Sequence, residues 1–156
     1  MRKSLSAFLM VGVLALIAVG CSDDDELEMF SADLSGANEV PPATTLASGR
    51  ATLTLEGDTV SFSVEVDDIT AATMAHIHSG ALGVNGPVRV FLFGPGGNFT
   101  TTGRAVLAQG SFTAADVAGI SFEELLAELR AGTAYVNVHT TLYPGGEIRG
   151  QTRLEN

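Results

Sequence analysis

Apolar and polar residues alternate with period two over most of this chain. In "RATLTLEGDTVSFSVEV" the apolar set Ala51, Leu53, Leu55 is interleaved with Thr52, Thr54, Glu56. Val60, Phe62, Val64 and Val66 alternate in the same way with Ser61, Ser63 and Glu65. Successive strand residues point to opposite faces, so each run is a half-buried strand. Gly57-Asp58 is a two-residue turn signal between them. Pairing Leu55 with Val60 sets Leu53 against Phe62 and Ala51 against Val64, which keeps one apolar face along the whole ladder.

Further strands are expected over Leu27–Leu34, Thr73–His78, Val88–Phe93, Arg104–Gln109, Ala134–Leu142 and Glu147–Leu154, with glycine-rich turns between. One segment breaks the rhythm. In "SFEELLAELRAG", Phe122, Leu125, Leu126 and Leu129 fall at helical spacing. Ser121 and Glu124 form a capping box, and Gly132 can end the helix. "FTAADV" just before it reads as one more turn. The expected fold is all-β: an antiparallel β-sandwich or Greek-key barrel with one short helix. In the last hairpin, a three-residue loop pairing Tyr143 with Glu147 places Val138 opposite Thr152. The other face then gathers Asn137, His139, Glu147, Arg149 and Arg153.

The first residues read differently. Arg2 and Lys3 precede an apolar run from Leu5 to Val19, then Gly20 and the chain's single cysteine, Cys21. This is the pattern of an export signal over residues 1–20, and the run is short for a spanning helix. "IAVGC" resembles a bacterial lipobox, which implies lipidation of Cys21 as the mature N-terminus. Residues 21–29 then form a lipidated start and an acidic tether, "SDDDELE", and residues 30–156 form the domain. The expected location is outside the cytoplasm, lipid-anchored to the bacterial cell envelope, with the membrane as one partner and an unidentified extracytoplasmic ligand as another.

Removing Arg2 and Lys3 takes the formal net charge from −10 to −12 and leaves no lysine. Such a surface repels phosphates, which argues against nucleic-acid binding. About 125 residues remain for one domain, enough for a core without disulfides.

Only three histidines occur, and two sit one residue apart in "AHIHSG". On a strand His76 and His78 project from one face, beside Met74. A third imidazole from another strand, His139, would complete an open site of the kind that takes zinc or copper. Asn137 or Glu147 could orient a ring from behind. Two other readings stand beside this one. The histidines can be a structural hydrogen-bond cluster in a protein- or glycan-interaction module, or they can hold an anion or polar ligand. Glu39, in the rigid "NEVPP", is expected to form a salt bridge with Arg149 or Arg153. No nucleophile elbow, phosphate loop or carboxylate pair stands out, so binding is favoured over catalysis.

"LSGANEVPP", "AHIHSG", "GVNGPV", "YVNVHT" and "PGGEIRGQ" together resemble the CHRD domain, over roughly residues 30–153. That module is named for chordin, an extracellular animal protein that binds growth factors, and it also occurs in bacterial exported proteins. The resemblance implies an extracellular β-rich domain without an established enzymatic activity. All three histidines fall within these motifs. The His-x-His on a strand also resembles the copper ligands of copper-zinc superoxide dismutases, although the further histidines of a two-metal site are missing here.

Overall fold

The structure is a computed structural model that describes residues 27–155. The expected signal, Cys21 and the acidic run up to Glu26 lie outside the described residues. Nine strands form one antiparallel sheet. They are β1 (Glu28–Ser35), β2 (Ser48–Glu56), β3 (Thr59–Asp67), β4 (Ala72–Ser79), β5 (Val88–Phe93), β6 (Ala105–Phe112), β7 (Ala134–Thr140), β8 (Ile148–Gln151) and β9 (Arg153–Leu154). The order is β5-β4-β7-β8-β1-β2-β3-β6, with β9 also on β1. The end strands β5 and β6 approach each other, so the sheet curls into a nearly closed barrel.

The β2–β3 hairpin has the expected register, with Leu55 opposite Val60, Leu53 opposite Phe62 and Ala51 opposite Val64. Helix α1 (Phe122–Ala131), the one α-helix among the described residues, starts at the Ser121–Glu124 capping box and ends at Gly132 in the left-handed conformation. It buries Leu125, Leu126 and Leu129 against the barrel. "FTAADV" supplies a 3-10 turn at Ala114–Asp116. Inside the barrel, Phe30, Leu53, Val64, Ile77, Val136 and Ile148 are at most 1% exposed. Each such side chain contributes about 1.5–3 kcal/mol by leaving water, so the core stands without help from the histidines. No helix among the described residues is long and apolar enough to cross a membrane.

The last hairpin departs from the expected register by four residues. Val138 lies opposite Ile148, Val136 opposite Gly150 and Asn137 opposite Arg149. The connection is no tight turn. Thr140 N–H donates to Tyr143 O, Tyr143 N–H to Thr140 Oγ1, and Gly146 N–H to Tyr143 O. The ladder resumes where Glu147 N–H donates to Val138 O at 2.8 Å. Leu142, the end of the strand expected over Ala134–Leu142, lies beyond β7 and is 77% exposed. A slip of four preserves which residues share a face, so the polar face survives. Gly150 explains why the slip is accommodated: a side chain there would overlap the Asp33 backbone of β1. Arg153 moves out of the polar face to an exposed ion pair with Asp33, at 2.9 Å.

Candidate metal centre

Strands β4 and β7 are buried on both faces, and β7 is buried at every position. Ala75, Ile77, Val136 and Val138 point into the barrel, all 0% exposed. The opposite, outer face carries His76, His78, Asn137 and His139, which are between 3 and 7% exposed. Three loops cover it: residues 36–45, 80–87 and 141–146. His139 lies opposite Met74, Asn137 opposite His76, and Tyr135 opposite His78. Irregularities in the β4–β5 ladder fall at Ala75/His76 and Ile77/His78, beside both histidines.

The three imidazoles converge, with one nitrogen of each within 4.8 Å of the others. His76 Nδ1 and His139 Nε2 are 3.1 Å apart. Ligand bonds of 2.0–2.1 Å at tetrahedral angles put neighbouring nitrogens about 3.3 Å apart, so this pair needs almost no movement to share an ion.

Backbone carbonyls orient the rings. His78 Nδ1 lies 2.9 Å from Gly86 O, and His139 Nδ1 lies 2.9 Å from Pro144 O. A ring nitrogen facing a carbonyl carries the proton, so Nε2 of both rings is a lone pair, unpartnered in His78 and facing His76 Nδ1 in His139. Gly86 can stand there because it is glycine; a Cβ would overlap the Ser79 backbone. His76 packs edge-on against Phe91, with centroids 4.5 Å apart. His78 stacks on Tyr135 at 4.8 Å, and Arg149 Cζ lies 3.4 Å from the same ring's centroid.

Burial keeps the rings neutral. It lowers the His76 pKa to about 4, with the charges of His139 and His78 acting in the same direction. His78 and His139 are also lowered, chiefly by burial, against the raising effect of their carbonyl partners. Neutral imidazole is the form that ligates metal.

The polar residues behind the rings differ from the expectation. Glu147, expected beside a ring, accepts from Thr45 Oγ1 at 2.6 Å. Arg149 is buried but donates to Asn85 Oδ1 and to the carbonyls of Val84 and Ala81, which fastens the 80–87 loop. Glu39 forms no ion pair with either arginine. It is 5% exposed, and its Oε1 has no hydrogen-bond partner. Burial pushes its pKa up to about 7, against the attraction of Arg149. Glu39 is the site residue whose position sequence reasoning missed. Its signal was the dense "GANEVPP" motif, whose acid is drawn in by the 3-10 turn at Gly36–Asn38.

His76 Nε2, His78 Nε2, Asn137 Oδ1 and Glu39 Oε1 are all buried without a partner. The Gly86 carbonyl places the His78 proton on Nδ1, so His78 Nε2, like Asn137 Oδ1, is an acceptor without a donor. Buried polar groups are ordinarily satisfied, and an unsatisfied one costs about 1–3 kcal/mol. A cleft of about 300 Å³ adjoins the cluster, lined by Glu39, Pro41, Pro42, Leu142, Tyr143 and Gly146 among others.

A family model described as the CHRD domain matches residues 30–152. The chain belongs to the CHRD domain family. The match takes in every strand except the first two residues of β1 and the whole of β9, and it contains all three histidines and Glu39. No curated protein matches the chain, and no solved structure does.

Proposed function

We propose that this CHRD domain is an extracytoplasmic binding module that holds a zinc or copper ion through His76, His78 and His139, tethered to the envelope by a lipid on Cys21. One observation carries the metal reading: three neutral imidazoles converge in a buried space where His76 Nε2, His78 Nε2 and Asn137 Oδ1 lack a hydrogen-bond partner. A cation answers that imbalance; an anion worsens it. Titration of the purified protein with zinc and with copper tests it. One saturable site is expected, lost in His78→Ala while the fold persists. Failure of wild type to bind either ion would overturn the reading.

A second reading has its own support. His78 and His139 already donate to carbonyls of the covering loops, and His76 meets His139. These bonds would hold the 80–87 and 141–146 loops of a protein- or glycan-interaction module. In that case His78→Ala destabilises the loops and leaves metal titrations of wild type flat.

The anchor is tested separately. Expressed in a bacterium, the protein should partition into detergent and carry acyl chains, and Cys21→Ala should release it. A soluble mature form with a free thiol would contradict the anchor.

A further inference from the structure

Three imidazoles leave a fourth position, and the structure offers a candidate for it. We propose, resting on the metal reading above, that Asn137 Oδ1 is the fourth ligand, making a three-nitrogen, one-oxygen set that favours divalent zinc over cuprous copper.

Asn137 is the residue of β7 directly opposite His76 on β4, and Arg149 faces it from β8 on the other side. Its side chain shares the outer face with all three rings. The two ends of its amide have different surroundings. The Nδ2 end is on the Gly146 side, 2.9 Å from where a Gly146 Cβ would stand and close to Glu39 Oε1, which that Cβ would overlap. The oxygen is therefore turned away from Glu39, towards β4. It is buried and has no donor.

The opposite amide orientation would give the imidazole lone pairs an N–H to accept from. It would also turn Oδ1 towards the Glu39 carboxyl and away from the rings. The amide stands instead with its Nδ2 on the Glu39 side and its oxygen towards β4. The result is an amide oxygen and ring lone pairs on one side of a dry face, a donor set complete for a tetrahedral ion.

The chemistry of that set separates candidate ions. Imidazole accepts zinc and copper alike, but a carbonyl oxygen is a hard donor that suits divalent ions and adds little to soft cuprous copper. The described residues include no cysteine, so they add no thiolate to the set.

Competition titrations of the full-length protein with zinc and with cuprous copper test this. Asn137→Ala should weaken zinc by about 10–100-fold, the range seen when groups supporting a metal are lost. Cuprous copper should change by less than about threefold, since its three imidazole donors remain. Asn137→Asp should restore or tighten zinc by adding charge. In wild type, the Asn137 side-chain amide resonances should shift on zinc saturation, a readout that needs no variant to fold. Equal losses for both ions would mean a packing role and overturn the assignment, as would unmoved amide resonances in zinc-loaded protein. If wild type bound neither ion, the three-histidine reading itself would fall, and the ligand assignment with it.

Discussion

The two faces of β4 and β7 are equally dry and chemically opposite. On the inner face Ala75, Ile77, Val136 and Val138 meet other apolar side chains, and nothing is left wanting. On the outer face His76, His78, Asn137 and His139 are nearly as buried, yet His76 Nε2, His78 Nε2, Asn137 Oδ1 and nearby Glu39 Oε1 lack hydrogen-bond partners. Burial on the inner face is itself the stabilising event. Burial on the outer face costs free energy and needs the carbonyls of Gly86 and Pro144, the loops and, on our reading, an ion to offset it. The difference teaches where to look for function: at the face whose burial the apolar core does not explain.

The largest expected effect separates the two faces by mutation. Ile77→Ala should cost about 2–5 kcal/mol of stability, as a cavity in a packed core does, without altering metal affinity in the protein that remains folded. Its neighbour His78→Ala should do the reverse. Denaturant unfolding and metal titration of both variants check this; similar losses in both assays from both variants would erase the distinction.

Acid should weaken the outer face and leave the apolar inner face unchanged. The His76 pKa is about 4 in the fold against about 6.5 in an unfolded chain. Between these values the unfolded chain binds more protons. The stability linked to the neutral ring is therefore present above about pH 6.5 and lost as the pH falls towards 4, on the order of 3 kcal/mol for the full shift. Glu39 has the opposite sign. Its pKa is raised to about 7, so the folded chain holds the extra proton, and stability is lost as the pH rises from about 4.5 through 7. Glu39→Gln should therefore gain on wild type between pH 5 and pH 8, by up to about 3 kcal/mol. Urea midpoints across that range check both signs. A gain that did not grow with pH would show that Glu39 is already ionised and paired.

The smallest effect lies off both faces. Arg153 pairs with Asp33 in the open, with side chains 50 and 60% exposed. Arg153→Ala should change stability by less than about 1 kcal/mol and leave metal affinity alone. A larger loss of affinity would return Arg153 to the site from which the observed register removes it.

Much of this was legible in the sequence because period two ties side chains to faces. It put His76 and His78 together, and it put Asn137 and His139 on one face in either register. The β2–β3 hairpin was readable because apolar residues oppose each other along its whole length. The β7–β8 hairpin was not, because its apolar set is short and Gly150 adds no preference. The loop there is shaped by bonds among Thr140, Tyr143 and Gly146 that no periodicity announces. Glu39 was misplaced for a related reason: an acid near arginines suggests an ion pair, whereas covering loops can bury the acid and occupy Arg149 with carbonyls.

The central claim is that the outer face is built around an ion. Zinc K-edge absorption of the loaded, exchanged protein tests it most directly. The account predicts one zinc per chain with three imidazole ligands and one further light ligand, at about 2.0–2.1 Å. Zinc that is substoichiometric, or bound without imidazole scattering, would contradict it and leave the histidines as loop fasteners.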